Sequence, residues 1–257
     1  SAMTSEMPRK YWKNLPEAEL IPELIRQAPE RARAMQVAAP TIPPARSEKA
    51  RLQRVARPVQ EGVTLETLKG ELDACRRCPI GVCASQGVAG EGPADAGLMI
   101  VGEQPGDSED LAGRPFVGPA GEVFDRCARD AGLIREQAYV TNAVKHFKFQ
   151  PKGKRRLHQR PTTDEIETCK WWLDLERQLV RPKLIVAMGA TAAQALTGTG
   201  AGLLKRQGTV ENGPDGVPVL VSIHPSYILR LPDPAARLKA EGLLRSDLAR
   251  AWDTVRR

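Results

Sequence analysis

The sequence predicts an α/β protein: a three-layer α/β/α sandwich around a central four-stranded, mostly parallel sheet, preceded by an N-terminal arm. Two observations predict it. From residue 63 onward, short apolar runs suited to buried strands alternate with longer amphipathic stretches, the order expected of βαβ units. The chain is 41% hydrophobic but only 4% aromatic, so it can build a core, which must rest mainly on Leu, Val, Ile and Ala.

Residues 1–62 are rich in proline, arginine and alanine and read as an arm or linker rather than a core. Ser1-Ala2-Met3 looks like a cloning scar, and helix-like pieces at 17–27 and 47–55 flank a proline-rich joint. The expected core domain, 63–257, begins its sheet with a buried strand at 98–101 that ends in a Gly-rich acidic loop. A helix at 120–131 and a second strand at 138–144 follow. A cationic loop bracketed by Pro151 and Pro161 comes next. An amphipathic helix at 163–179, capped by Thr162 or Thr163, leads to a third strand at 184–188 and a helix at 190–196. A fourth strand at 217–223 and a closing helix at 235–252 complete the pattern. Sites in such sheets gather at the carboxyl ends of the strands.

Lysine and arginine outnumber aspartate and glutamate 38 to 31, a formal charge of +7 that favours a polyanionic partner. No apolar run approaches the roughly 20 residues of a membrane span and no secretory leader is evident, so a cytoplasmic, nucleoid-associated protein is expected. Five cysteines, an odd number, favour metal or cluster ligation over disulfides. Cys75 and Cys78 form a Cys-x-x-Cys pair, a spacing that zinc also uses. Cys127, inside a helix, reads as a small core residue.

The three histidines each fall in a motif. His146 follows the second strand and His224 the fourth, and His158 lies in the cationic loop with Lys152, Lys154, Arg155, Arg156 and Arg160. Histidine serves as nucleophile, proton carrier or metal ligand near neutral pH. Alternatively, His158 is one more phosphate contact on a basic loop. Gly102 lets a ligand approach the backbone, and Glu103, Asp107 and Asp110 offer general-base or electrostatic help. Phe116, in a Gly- and Pro-framed stretch, is a stacking ring or a core anchor.

The loop 102–110, the stretch 114–121, Thr141-Asn142-Ala143-Val144-Lys145 and His224-Pro225-Ser226 together resemble the uracil-DNA glycosylase superfamily, over roughly residues 65–252. They most resemble its iron–sulfur branch, the family-four enzymes. Lys145-His146-Phe147-Lys148 and the inserted Lys154-Arg155-Arg156-Leu157-His158 resemble the uracil-DNA-binding members of that branch. The resemblance implies that Asn142 bonds the uracil edge, Phe116 stacks on it, Gln104 lines the pocket, and His224 donates toward O2 of the leaving base. Gly102, Asp110, Lys145, Lys154, Arg155, Arg156 and Ser226 would contact uracil or DNA. It further implies that His158 attacks C1′ of the sugar and stays bonded. Glu103, with Asp107 and Asp110 in support, is the candidate for orienting that imidazole or accepting its proton. Arg156 would help hold the loop closed.

The branch also implies a [4Fe–4S] cluster, with Cys75, Cys78 and Cys169 as ligands. Where the branch carries its remaining cysteine this chain has His146, an imidazole that can replace thiolate on cluster iron, and Cys83 is the rival fourth ligand. The expected substrate is uracil-containing DNA, single strands preferred, bound by a monomer with no protein partner. An ordinary multiple-turnover glycosylase and a non-catalytic lesion-binding module are the alternatives.

Overall fold

The structure, a computed structural model, describes residues 62–257. The expectations for the arm, its two helices included, lie outside the described residues. Two short helices open this part, α1 (Leu68–Asp73) and α2 (Ile80–Cys83). Strand β1 (Leu98–Gly102) is buried throughout, and alternate residues serve opposite layers. Met99 and Val101 join one core while Leu98 and Ile100 join the other. That is the period-2 geometry of a sheet covered on both faces.

Helix α3 (Asp107–Ala112) occupies part of what sequence reads as an acidic loop. Helix α4 (Pro119–Asp130) starts with proline at its first turn, where the missing N–H costs nothing. Strand β2 (Tyr139–Asn142) then pairs parallel with β1, Gly102 opposite Asn142. The cationic loop is a hairpin, β3 (Phe149–Lys152) and β4 (Arg155–His158), paired antiparallel as a separate two-stranded sheet. Its turn uses Gly153 at φ 58°, which glycine adopts without strain.

Helix α5 (Thr163–Val180) begins with a reciprocal cap between Thr162 and Glu165. Strand β5 (Leu184–Met188) and helices α6 (Ala190–Thr197) and α7 (Leu203–Arg206) follow. Next come β6 (Val210–Asn212), β7 (Pro218–Ser222), α8 (Pro225–Arg230) and the closing α9 (Pro234–Arg256).

The main sheet has five strands in the order β2-β1-β5-β7-β6, one more than the four expected. The added edge strand β6 is three residues long and antiparallel to β7. Its Val-Glu-Asn run is too short and too polar for an apolar-run search to register. One layer packs α1, α5 and α6 against the sheet; the other packs α4, α8 and α9. Among the described residues no helix is long and apolar enough to cross a membrane.

Candidate active site

The carboxyl ends of β1, β2, β5 and β7 and the hairpin surround a cavity of about 890 Å³, whose wall includes Glu103, Gln104, Phe116, Asn142, His158 and His224. Side chains far apart along the chain therefore face one space. Parallel strands deliver them there because all four end at the same edge of the sheet.

Gly102, Phe116 and Asn142 form one wall. A Cβ on Gly102 would lie 2.5 Å from both the Asn142 side-chain oxygen and the Phe116 ring, so only glycine lets the two approach the strand end. Phe116 itself holds φ 54°, an uncommon backbone for a bulky residue. Two residues that sequence reasoning missed maintain it. Glu109 accepts the backbone N–H groups of Val117 at 3.0 Å and Gly118 at 2.8 Å, and Arg135 donates to the Phe116 carbonyl at 3.1 Å. Phe116 is 4% exposed and Asn142 3%. The ring thus is a core anchor and a pocket wall at once.

His224 opens α8. Its Nδ1 accepts the Ser226 backbone N–H at 3.1 Å, so in the neutral ring the proton sits on Nε2. Burial pushes its pKa down to about 4, against the opposing pull of Glu103. At neutral pH His224 is therefore an uncharged N–H donor. Ser226 orients this ring and does not need to touch a ligand to do so.

Across the cavity, Glu103 Oε1 lies 3.1 Å from His158 Nε2. Thr191, another residue missed from sequence, donates to Glu103 Oε2 at 2.8 Å. Burial alone would raise the Glu103 pKa, but the hydrogen bonds from His158 and Thr191 and the nearby imidazoles bring it below the ordinary value. The carboxylate is ionised and faces a half-exposed imidazole.

Arg156 locks the hairpin that carries His158. Its guanidinium donates to Asp107 at 2.6 Å and to Asp110 at 2.5 Å, and it stands over Phe149 with 5.1 Å to the ring centre. Both carboxylates thus anchor Arg156: Asp107 stands on the cavity wall, while Asp110 is fully buried and does not reach DNA. Gln104 also turns to the hairpin, donating to the Gln159 carbonyl at 3.0 Å and accepting the Lys148 N–H at 3.2 Å. Lys154 and Arg155 are exposed at the turn, where they meet solvent.

Lys145 is not at the surface. It is fully buried, with Nζ 2.5 Å from Glu176 Oε2, so the DNA contact expected of it is corrected: the ammonium ends in the core.

The cysteine segments lie on the far side of β2. Cys169 accepts the Lys145 backbone N–H at 3.2 Å and Cys75 accepts the Trp172 indole N–H at 3.3 Å. Cys75 and Cys78 pack against the core cluster that contains Cys169. The His146 ring is beside them, because a Cβ on Gly81 would be 2.6 Å from the Cys75 carbonyl and 3.6 Å from His146 Cε1. His146 Nε2 lies 3.0 Å from the Leu72 carbonyl, which can only accept, leaving Nδ1 as the nitrogen with a free lone pair. Cys83 is exposed and Cys127 buried. Among the described residues, no three His, Cys, Asp or Glu side chains gather closely enough to hold a single metal ion.

An α/β/α sandwich with an aromatic wall, an amide edge and a carboxylate-paired histidine at its strand ends defines a pocket suited to a flat, polar-edged ring. Residues 89–248 match the family described as the uracil DNA glycosylase superfamily, and the chain belongs to it. It is 35% identical over 167 residues to a type-4 uracil-DNA glycosylase of Thermotoga maritima, covering 65% of this chain and 83% of that protein. A type-4 uracil-DNA glycosylase of Pyrobaculum aerophilum is 33% identical over 175 residues, covering 65% and 86% respectively. One from Sulfurisphaera tokodaii is 39% identical over 127 residues, covering 49% and 54%.

Proposed function

We propose that this chain is a self-trapping uracil-DNA glycosylase of the UdgX type, which excises uracil from DNA and keeps the deoxyribose bonded to His158. Family membership and the type-4 relatives support the glycosylase part. The single observation that carries the trapping part is the His158–Glu103 pair, 3.1 Å apart and facing the cavity that holds Asn142, Phe116 and His224.

Uracil leaves the base stack, which costs least in a single strand, and its face meets Phe116 while its edge meets Asn142. An amide that matches uracil leaves unpaired groups against cytosine, and that mismatch is the source of selectivity. As the C1′–N1 bond breaks, its electron pair leaves with uracil, and the neutral Nε2–H of His224 donates to the charge developing on O2. The lone pair of one His158 ring nitrogen forms a bond to C1′. The imidazolium so formed loses its N–H proton to the ionised Glu103. An N-alkylated imidazole leaves poorly, so the reaction stops at one turnover.

Four donors fit a [4Fe–4S] cluster: Cys75, Cys78, His146 through Nδ1, and Cys169. Backbone and indole N–H groups already point at two of the sulfurs. A four-iron cube spreads its ligands wider than one ion does, so failure to gather around a single ion does not conflict with it. When bound, such a cluster would tie the Cys75 segment to the end of β2 as a structural brace.

The test is incubation with uracil-containing single-stranded DNA followed by a denaturing gel. The expected result is a heat-stable protein–DNA band stoichiometric with protein. Free uracil in large molar excess over protein would establish the multiple-turnover alternative. Neither release nor adduct would leave a binding module.

A further inference from the structure

Behind the base-recognition wall lies a fully buried ion pair that the chemistry above does not use. Lys145 Nζ lies 2.5 Å from Glu176 Oε2, and both side chains are 0% exposed. Burying two charges is costly and rarely improves stability over an apolar pair of the same volume. A pair kept there therefore invites a question about what its ends hold.

The ends hold the recognition strand. Lys145 Nζ donates to the Asn142 carbonyl at 2.6 Å and to Thr141 Oγ1 at 2.7 Å. Glu176 accepts the Thr141 hydroxyl at 2.8 Å and the Gly90 N–H at 2.8 Å, so it joins three chain segments. Asn142 is the last residue of β2, where the ladder with β1 runs out. Beyond it, Ala143 and Val144 donate to Gly102 and Glu103. The carbonyl of Asn142 meets the ammonium in the core. That bond fixes the peptide plane beside the Asn142 side chain, which projects toward Gly102 and Phe116.

We infer that Lys145 and Glu176 are positioning residues for Asn142: the buried pair sets the orientation of the amide that discriminates uracil from cytosine. The inference rests on the reading of Asn142 as the uracil-binding residue. A conventional reading would make Lys145 a phosphate contact, which its complete burial forbids. A merely structural pair would affect stability and leave base choice alone. A positioning pair moves base choice even when stability is restored.

The test uses the whole chain and a doubly substituted variant, Lys145→Met with Glu176→Gln. The glutamine keeps an acceptor for the Gly90 N–H and a partner for Thr141, and no unpaired charge stays buried. Melting temperature, uracil-excision rate at saturating DNA, DNA concentration dependence, and the rate ratio for uracil against cytosine oligonucleotides are compared with the unmodified chain. The expected result is a melting temperature well above that of Lys145→Met alone, together with an excision rate and a uracil preference each reduced at least about tenfold, the scale of one lost charged hydrogen bond. Asn142→Ala should produce the same loss, and adding the double substitution to it should produce little more.

Unchanged rate and preference in the double variant, with Asn142→Ala impaired, would overturn the inference and leave the recognition reading standing. An Asn142→Ala chain with full rate and preference would overturn the recognition reading itself. If the double variant does not fold, Glu176→Gln alone serves: it weakens the pair while keeping the shape of the side chain, and an unaltered uracil preference there overturns the inference equally.

Discussion

His224 binds fewer protons in the folded chain than in the unfolded one at every pH between its folded value of about 4 and the ordinary 6.5. Its contribution to stability is therefore fully present above 6.5 and lost as pH falls toward 4. Replacing it, as in His224→Gln, should flatten the fall in melting temperature across that window; an unchanged slope would show the ring is not held neutral. His224→Ala should slow excision by about a hundredfold, the scale of removing one donor from a developing oxyanion, measured as single-turnover uracil release. Lys145→Met leaves Glu176 charged and alone in the core and should cost about 3–5 kcal/mol by denaturant unfolding. These residues differ in how far sequence exposes them. His158, Asn142, Phe116 and His224 sit in ordered motifs, and the pocket brings all four together. Lys145 misleads because a lysine beside such a motif on a basic chain looks like a phosphate contact. Its partner lies 31 residues along the chain, and nothing local announces it. Thr191 and Glu109 are hidden for the same reason: each acts on another side chain or on backbone across the fold.

The hairpin shows how an element can be read as a loop. Pro151, Gly153 and four cations mask the strand period, so the stretch looks like a charged connection. Its pairing places Phe149 opposite His158 and Pro151 opposite Arg156. Arg156 and His158 are two residues apart on one strand and so face the same side, which means that anchoring the first aims the second. Arg156→Ala should therefore leave excision nearly intact while loosening capture, so that released uracil exceeds adduct in a side-by-side assay. A ratio that stays at one would mean Gln104 and the Lys148–Glu165 pair at 2.7 Å suffice to hold the hairpin. His158→Ser, which opens room for water, should release uracil and leave an abasic site with no adduct at all. The short helices α1, α2, α3, α7 and α8 are not legible either. The four parallel strands and the longer helices, by contrast, are legible to within a few residues. Their apolar runs are uninterrupted, and Thr162 with Glu165 marks the start of α5 in the sequence itself. The edge strand β6 is not legible, because three residues carry no period.

For the whole molecule, the excess of positive charge strengthens binding only where cations reach phosphates. Lys152, Lys154 and Arg155 are exposed at the hairpin turn beside the cavity. Replacing each with alanine should reduce the salt dependence of single-strand binding by about 0.7 in the log–log slope for every phosphate no longer neutralised, equally for uracil-free DNA. An unchanged slope would assign the net charge to solubility alone. Iron content after anaerobic purification tests whether the proposed cluster is present. Chelation should loosen the Cys75 segment against protease before the sheet unfolds.

The Gln159 backbone N–H donates to the Lys148 carbonyl at 2.9 Å, so the two stems of the hairpin stand side by side where they leave the sandwich. The whole hairpin, which carries the proposed trapping histidine, is thus spliced in across a single rung. Stitching Lys148 straight to Gln159 should disturb none of the strands beneath and yield a chain in which solvent, not imidazole, finishes the job. Suicide and turnover would then be separated by a detachable cassette.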